Sequence, residues 1–196
     1  MRLLPSIMQD RHVRLEPLGE RHCAQLRLAC DADPALWRDL YPFSMAGEHF
    51  DPAWDRLMSQ AEAGSWISFA VVADGVCIGM TSYIAPDPVN AAVEIGGTYY
   101  APQARGGAVN PAAKRLMLAH AFEAGARRVQ FKVDAINARS RAAVLKLGAV
   151  QEGVLRQDRI TWTGRIRDTV VFSILDEEWP AVRERLEARL AGFAKD

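Results

Sequence analysis

The sequence predicts an α/β domain built on one mixed, mostly antiparallel sheet with helices on both faces. Three observations carry that prediction. Trp66 to Ala73 and Val76 to Tyr83 are apolar and β-branched runs separated by Asp74-Gly75, a dipeptide that tight hairpins favour. A long helical pattern lies between the strand carrying Glu94 and the run Arg127 to Asp134, and a helical crossover lets two strands lie parallel. Val154 to Trp162 and Asp168 to Leu175 flank Thr163-Gly164 and read as a final antiparallel pair.

The elements follow in order. Residues 1–10 carry no periodic pattern and are expected to form a flexible tail, with a single domain over residues 11–196. Val13-Arg14-Leu15 alternates, as a first strand does. Cys23, Leu26 and Cys30 mark one helix, and Trp37, Leu40 and Tyr41 a short second one. Trp54, Leu57, Met58 and Ala61 mark a third, which Gly64 closes. After the hairpin, Pro86, Asp87, Pro88 and Asn90 make a turn before the strand Val93 to Tyr100. The helix from Pro111 to about Gly125 is apolar on more than one face and should be well buried. A further helix ends at Gly148. The last helix places Trp179, Val182, Leu186 and Phe193 on one stripe, with Asp176 as N-cap. That stripe suits packing on the domain's own sheet; its alternative use is an interface in a homodimer.

Composition sets bounds. A chain of 196 residues that is 49% hydrophobic is the size of one ordinary domain and can bury a substantial core. The 24 lysines and arginines balance 24 acidic residues, so no global field draws the protein to nucleic acid or to an anionic membrane. No apolar run approaches the ~20 residues of a membrane span, and residues 1–10 lack the apolar centre of a signal peptide. Cys23, Cys30 and Cys77 show no metal-ligand spacing and read as buried small hydrophobes. A reducing cytoplasm is the expected compartment. His12, His22, His49 and His120 are scattered and read as surface or capping residues. No metal is expected.

The most informative stretch runs from Tyr99 to Pro111. Gly106 and Gly107 remove side chains that would keep a bulky anion from the backbone, Asn110 suits an N-cap and Pro111 the first helical position. The unpaired amides of Arg105 to Val109 and the helix dipole then converge into a phosphate cradle. A Walker loop would need Gly-Lys-Ser/Thr where Ala108 and Val109 stand, and the dinucleotide fingerprint would need a third glycine. A nucleotide-binding protein is therefore a distant reading. Gln103-x-x-Gly106-x-Ala108 instead resembles the pyrophosphate loop of the GNAT acetyltransferases, which binds acetyl-CoA.

A second block strengthens the resemblance. Asn137-Ala138-Arg139-Ser140, a helix, Leu147-Gly148 and Glu152-Gly153-x-x-Arg156 together look like the other half of the coenzyme site in the ribosomal-protein Nα-acetyltransferase (RimJ/RimL-like) branch. More loosely, the likeness extends from Leu15-Glu16-Pro17-Leu18 to Glu178-Trp179-Pro180. It implies a central parallel strand pair that splays, with the backbone of Gly97-Thr98-Tyr99 receiving the pantetheine arm. It also implies an acetyl-CoA-dependent N-acetyltransferase in which a primary amine, from a protein N-terminus or a small molecule, attacks directly.

Individual residues keep two readings each. Glu94, flanked by Val93 and Ile95, is the candidate base; alternatively it points outward on the polar face. Asp134 is the reserve base or a water-mediated partner, while Glu152 reads as structural, through a turn or an arginine. Asn137 either binds the pantetheine arm or caps the next helix. Ser140 either donates to the departing thiolate, as the branch suggests, or caps the same helix. Arg105 and Lys114 either meet phosphates or stand solvated. One departure matters: where the branch favours a glutamate base beyond the Glu-Gly-x-x-Arg motif, this chain reads Arg156-Gln157-Asp158-Arg159-Ile160, so that role does not carry over. Acceptor specificity is expected from Trp37 to Phe50, the Pro86 to Asn90 turn and the Thr161 to Arg165 turn. There Tyr41, Phe43, Trp54 and Trp162 either wall the site or fill the core. A catalytically silent module that binds or senses acyl-CoA is the reading from a different class.

Overall fold

The computed structural model describes residues 1–193, so residues 194–196 of the expected domain lie outside the described residues. Fourteen elements follow one another: β1 (Met8–Gln9), β2 (Arg14–Pro17), α1 (Cys23–Asp31), α2 (Pro34–Leu40), α3 (Phe50–Glu62), β3 (Trp66–Ala73), β4 (Val76–Asp87), β5 (Ala92–Tyr100), α4 (Val109–Glu123), β6 (Arg128–Asp134), α5 (Ala138–Leu147), β7 (Val150–Ile160), β8 (Ile166–Leu175) and α6 (Trp179–Ala191). They form one sheet of eight strands in the order β1-β2-β3-β4-β5-β6-β8-β7. β5 and β6 pair in parallel across the α4 crossover, and every other pairing is antiparallel.

Strand alternation divides the apolar residues between two faces. One cluster joins Val93 and Ile95 of β5, Val129 and Phe131 of β6, and Phe172 of β8 to Met117 of α4, Leu147 of α5 and Val182 of α6. The other joins Ala70, Met80 and Tyr99 to Leu26 of α1, Trp37 of α2 and Leu57 of α3. The hairpin turn takes positive φ at Asp74 and Gly75, which matches the right-handed twist of β3 and β4.

Four expectations are corrected in detail. Residues 1–10 dock on the domain: Met8 is buried, β1 pairs with β2, and the Arg2 amide donates to the Ala124 carbonyl. The final hairpin is longer than its apolar pattern, because β7 begins at Val150 and β8 at Ile166. The N-cap of α6 is Glu178, and the Asp176 carboxylate instead accepts the Glu177 amide. The buried stripe of α6 is Trp179, Val182, Leu186 and Leu190, and Trp179 stacks on Phe122 of α4, so the stripe is used within the domain.

Candidate active site

The site begins where the parallel ladder ends. Ala92 to Glu94 pair with Arg128 to Gln130, and beyond Glu94 the strands part: β5 continues on β4 and β6 on β8. This splay leaves the β6-side edge of Ile95 to Tyr100 without a strand neighbour. Within that stretch Met80 opposes Tyr99 and Ser82 opposes Gly96, so Gly97 and Thr98 together face Thr81. Such a bulge needs an unusual dihedral, and Gly97 supplies it with φ 56°. A Cβ there would lie 2.8 Å from the Trp66 ring.

Around the loop, the helix start differs from the expectation. Ala108 already has helical dihedrals and its carbonyl accepts the Ala112 amide, so Ala108 is the N-cap and Asn110 and Pro111 are the second and third helical residues. Proline is tolerated there because first-turn amides lack helical partners anyway. No side chain caps this end, which leaves its amides for a ligand. Gly106 has φ 83°, whereas Gly107 has no such requirement, and a Cβ at either would meet open space. Gln103, in a short turn before the loop, is exposed.

Neither basic candidate of the loop faces solvent. Arg105 donates from Nε to the Tyr100 carbonyl (2.8 Å) and from Nη1 to Asp33 Oδ2 (2.6 Å), and its guanidinium lies over the Tyr99 ring. Asp33 caps α2 and is held below the usual carboxylate range by this arginine. Arg105 therefore ties the loop to α2. Lys114 is 6% exposed and turns into the core, where Nζ donates to the hydroxyls of Thr98 (2.6 Å) and Thr81 (3.0 Å). With no carboxylate partner among the described residues, burial pushes its pKa down to about 7.

At the other lip, Asn137 is the N-cap of α5: its Oδ1 accepts the Ser140 amide (3.0 Å). Its amide group and the Ser140 hydroxyl are not used by that cap. Tyr41 donates to the Thr98 carbonyl (2.5 Å), and the Tyr100 hydroxyl is buried without a partner among the described residues. An unpaired strand edge, an orphaned hydroxyl and an uncapped helix start are the features that an amide-containing, diphosphate-bearing coenzyme fits.

Glu94 and Gly96 face the α1–α3 side, opposite Val93 and Ile95. The Glu94 side chain is 13% exposed, with Lys132 Nζ 3.3 Å away. Its pKa is raised, because burial outweighs the attraction of Lys132 and of the more distant Arg159 and Arg167. The other carboxylates are tied down. Asp134 is buried against Arg165 and Arg167 and accepts the Ile136 amide, so it anchors the two arginines, and its reading as reserve base loses its free oxygen. Asp158 accepts from the Thr169 hydroxyl and pairs with Arg159; burial pushes its pKa up, but these partners leave it lowered. Arg128, helped by Ser173, holds Glu152 down to about 2.

Two of the three expected acceptor segments meet over this face. The Trp162 indole donates to the Trp37 carbonyl and its amide to Pro42, while Arg165 reaches the Asp39 carbonyl. Tyr41 packs on Trp37, which stacks on Tyr99. Trp54 is buried against Phe50, a core role. The hydrogen bonds of the Pro86 to Asn90 turn are internal, from Val89 and Asn90 to Asp87. Lys132, Arg165 and Arg167 were not singled out from the sequence. Their signal is the period-two placement of charge in Lys132-Val133-Asp134 and Arg165-Ile166-Arg167, which puts these side chains on the face opposite Val133 and Phe172.

Comparison with known proteins agrees with this geometry. Residues 12–150 match a family model described as "Acetyltransferase (GNAT) domain". A Bacillus subtilis (strain 168) protein, YdaF, with a provisional name as ribosomal N-acetyltransferase, is 32% identical over 129 residues, or 65% of this chain and 68% of that one. The structure of a GCN5-related N-acetyltransferase from Brucella melitensis superposes with TM-score 0.89 at 31% identity, covering 98% of this chain and 89% of that one. Mycobacterium smegmatis RimJ, solved with CoA-disulfide, shares the fold with TM-score 0.83 at 24% identity, covering 97% of each chain.

Proposed function

The chain belongs to the GNAT acetyltransferase family, in its RimJ/RimL-like branch, and we propose that it transfers the acetyl group of acetyl-CoA to a primary amine held on the α1–α3 face beside Glu94. The coenzyme brings an acyl group already activated as a thioester. Gly97, Thr98 and Tyr99 would hold its pantetheine arm. Gln103 and the backbone of Arg105, Gly106, Gly107, Ala108, Val109 and Asn110 would hold its diphosphate, and the Asn137 amide group is free to reach the arm from the α5 side. Arg105 acts by fixing the loop.

Glu94 takes a proton from the acceptor ammonium and so exposes the nitrogen lone pair. As the new C–N bond forms and the C–S bond breaks, the nitrogen gives its second proton to the Ser140 oxygen while the Ser140 hydroxyl passes its own to the departing sulfur, so the serine ends neutral and Glu94 returns its proton to solvent. Asp134 orients Arg165 and Arg167 rather than acting as the base. The raised pKa of Glu94 at the end of the parallel ladder carries this assignment, because a base must bind its proton near the working pH. Thiol release from acetyl-CoA, measured with peptides, polyamines, amino acids and aminoglycosides, tests it. Release with at least one amine and none in its absence is expected. Coenzyme binding with no release for any amine would leave an acyl-CoA-binding module.

A further inference from the structure

Apart from the Arg128–Glu152 pair, seven charged side chains stand on the α1–α3 face of β5, β6, β8 and β7 or reach it from the Thr161 to Arg165 turn. Three are anionic (Glu94, Asp134, Asp158) and four cationic (Lys132, Arg159, Arg165, Arg167). Each carboxylate has a cation closer than Arg167: Lys132 at 3.3 Å on Glu94, Arg159 at 3.1 Å on Asp158, and Arg165 hydrogen-bonded to Asp134. Arg167 is left with a 3.8 Å approach to Asp134 and, among the described residues, no hydrogen bond. It is nevertheless only 5% exposed, and its Nε, the atom that approaches Asp134 Oδ2, is buried without a hydrogen bond among the described residues.

A buried guanidinium with unused donors is costly, and its setting adds to the cost. Arg159 lies directly opposite Arg167 in the β7–β8 register, a like-charge pair on one face. Arg165 adds a third positive charge nearby. One anion at Arg167 would balance the cluster and use the guanidinium's paired donors. Glu94 stands on the same face, and Arg167 contributes, after Lys132 and Arg159, to the attraction that offsets its burial.

We infer that the acceptor carries a carboxylate close to its amine, and that Arg167 binds that carboxylate while Glu94 receives the ammonium proton. This rests on the acetyltransferase reading above. The shared chemistry has two sources, the α-carboxylate of a free amino acid and an acidic side chain near a peptide N-terminus.

Thiol release is measured for a set of L-amino acids, their amides, peptides with acidic or neutral second residues, and a polyamine. Carboxylate-bearing acceptors should exceed their neutral counterparts at least tenfold in kcat/KM. A preference among free acids identifies the first source, and one confined to peptides the second. Arg167→Gln should raise KM for the acids at least tenfold more than it raises KM for the matching amides, each compared at its own optimum pH because the Glu94 pKa also shifts, and Arg167→Lys should recover part of the loss. Equal use of acids and amides by the wild type would overturn the inference while leaving the acetyltransferase reading standing. A calorimetric titration with N-acetyl-amino acids and N-acetyl-amino amides, in the presence of CoA, needs no turnover. Tighter binding of the acids, lost in Arg167→Gln, supports the inference even if no amine were acetylated, and equal binding refutes it.

Discussion

Glu94→Gln keeps the size of the side chain that packs beside Gly96 but removes both the negative charge and the basic oxygen. In the wild type, burial raises this carboxyl's pKa and Lys132, 3.3 Å away, partly restores it. A positioned base typically contributes 10²–10⁴-fold, so kcat/KM at pH 7 should fall at least a hundredfold, or about 2.7 kcal/mol of transition-state stabilisation. The pH profile separates this role from mere packing. Wild-type kcat/KM should decline as pH falls through the raised pKa, and the Gln variant should lose that limb. Its deficit should shrink as pH approaches the pKa of the amine, where substrate arrives deprotonated. Lys132→Met offers an independent check of sign: without the cation the Glu94 pKa rises further, so the acid limb should move to higher pH. A Gln variant with an unchanged profile would refute the assignment and imply that the amine needs no protein base.

Other predictions reach the rest of the site. Gly106→Val should weaken acetyl-CoA at least tenfold, about 1.4 kcal/mol, because valine resists φ 83°; Gly107→Val, with no such constraint, should lose less, and calorimetry compares them. Ser140→Ala should lower kcat with acetyl-CoA affinity nearly intact, and a loss under about threefold with chemistry rate-limiting would reduce Ser140 to a helix-start residue. Lys114 has a folded pKa of about 7 against an ordinary 10.5, so between these values the unfolded chain holds the extra proton and stability rises with pH. From pH 7 to pH 9 denaturant unfolding should show a gain of about 2 kcal/mol from this group, absent in Lys114→Met.

The glycine-rich loop with its following helix and the crossover were legible because they are local. Gly-Gly, a preceding strand and a following helix are set by a few neighbouring residues, and Asn137 at the start of α5 is likewise read from its spacing to Ser140. What was not legible depends on partners distant in sequence. Arg105 read as a phosphate ligand or a solvated charge, and it is neither by its side chain, because Asp33, 72 positions away, holds it. Lys114 looked solvated on a helix that is apolar nearly all round, and that breadth of apolar surface is itself the reason it is buried. Asp134 looked available because the arginines that hold it come from beyond β7.

One residue of β5 links both sides of the site. Without the bulge, strict alternation would turn Thr98 to the face of Glu94 and Gly96, and Tyr99 to the face of Ile95. The extra residue at Gly97 reverses this. Tyr99 joins the α1–α3 face, stacks on Trp37 at 4.5 Å and donates to the Ala29 carbonyl, which holds the aromatic floor under Tyr41. Thr98 turns to α4 and meets Lys114, while its carbonyl accepts from Tyr41. Gly96-Gly97 within an apolar strand is the sequence trace of the bulge, since glycine there weakens a strand unless the backbone needs it. Filling position 97 would therefore disturb three things at once: the Trp66 contact, the aromatic floor and the lysine's hydroxyl cage. The α1–α3 face and the α4 face are coupled through the backbone of a single dipeptide, Gly97-Thr98.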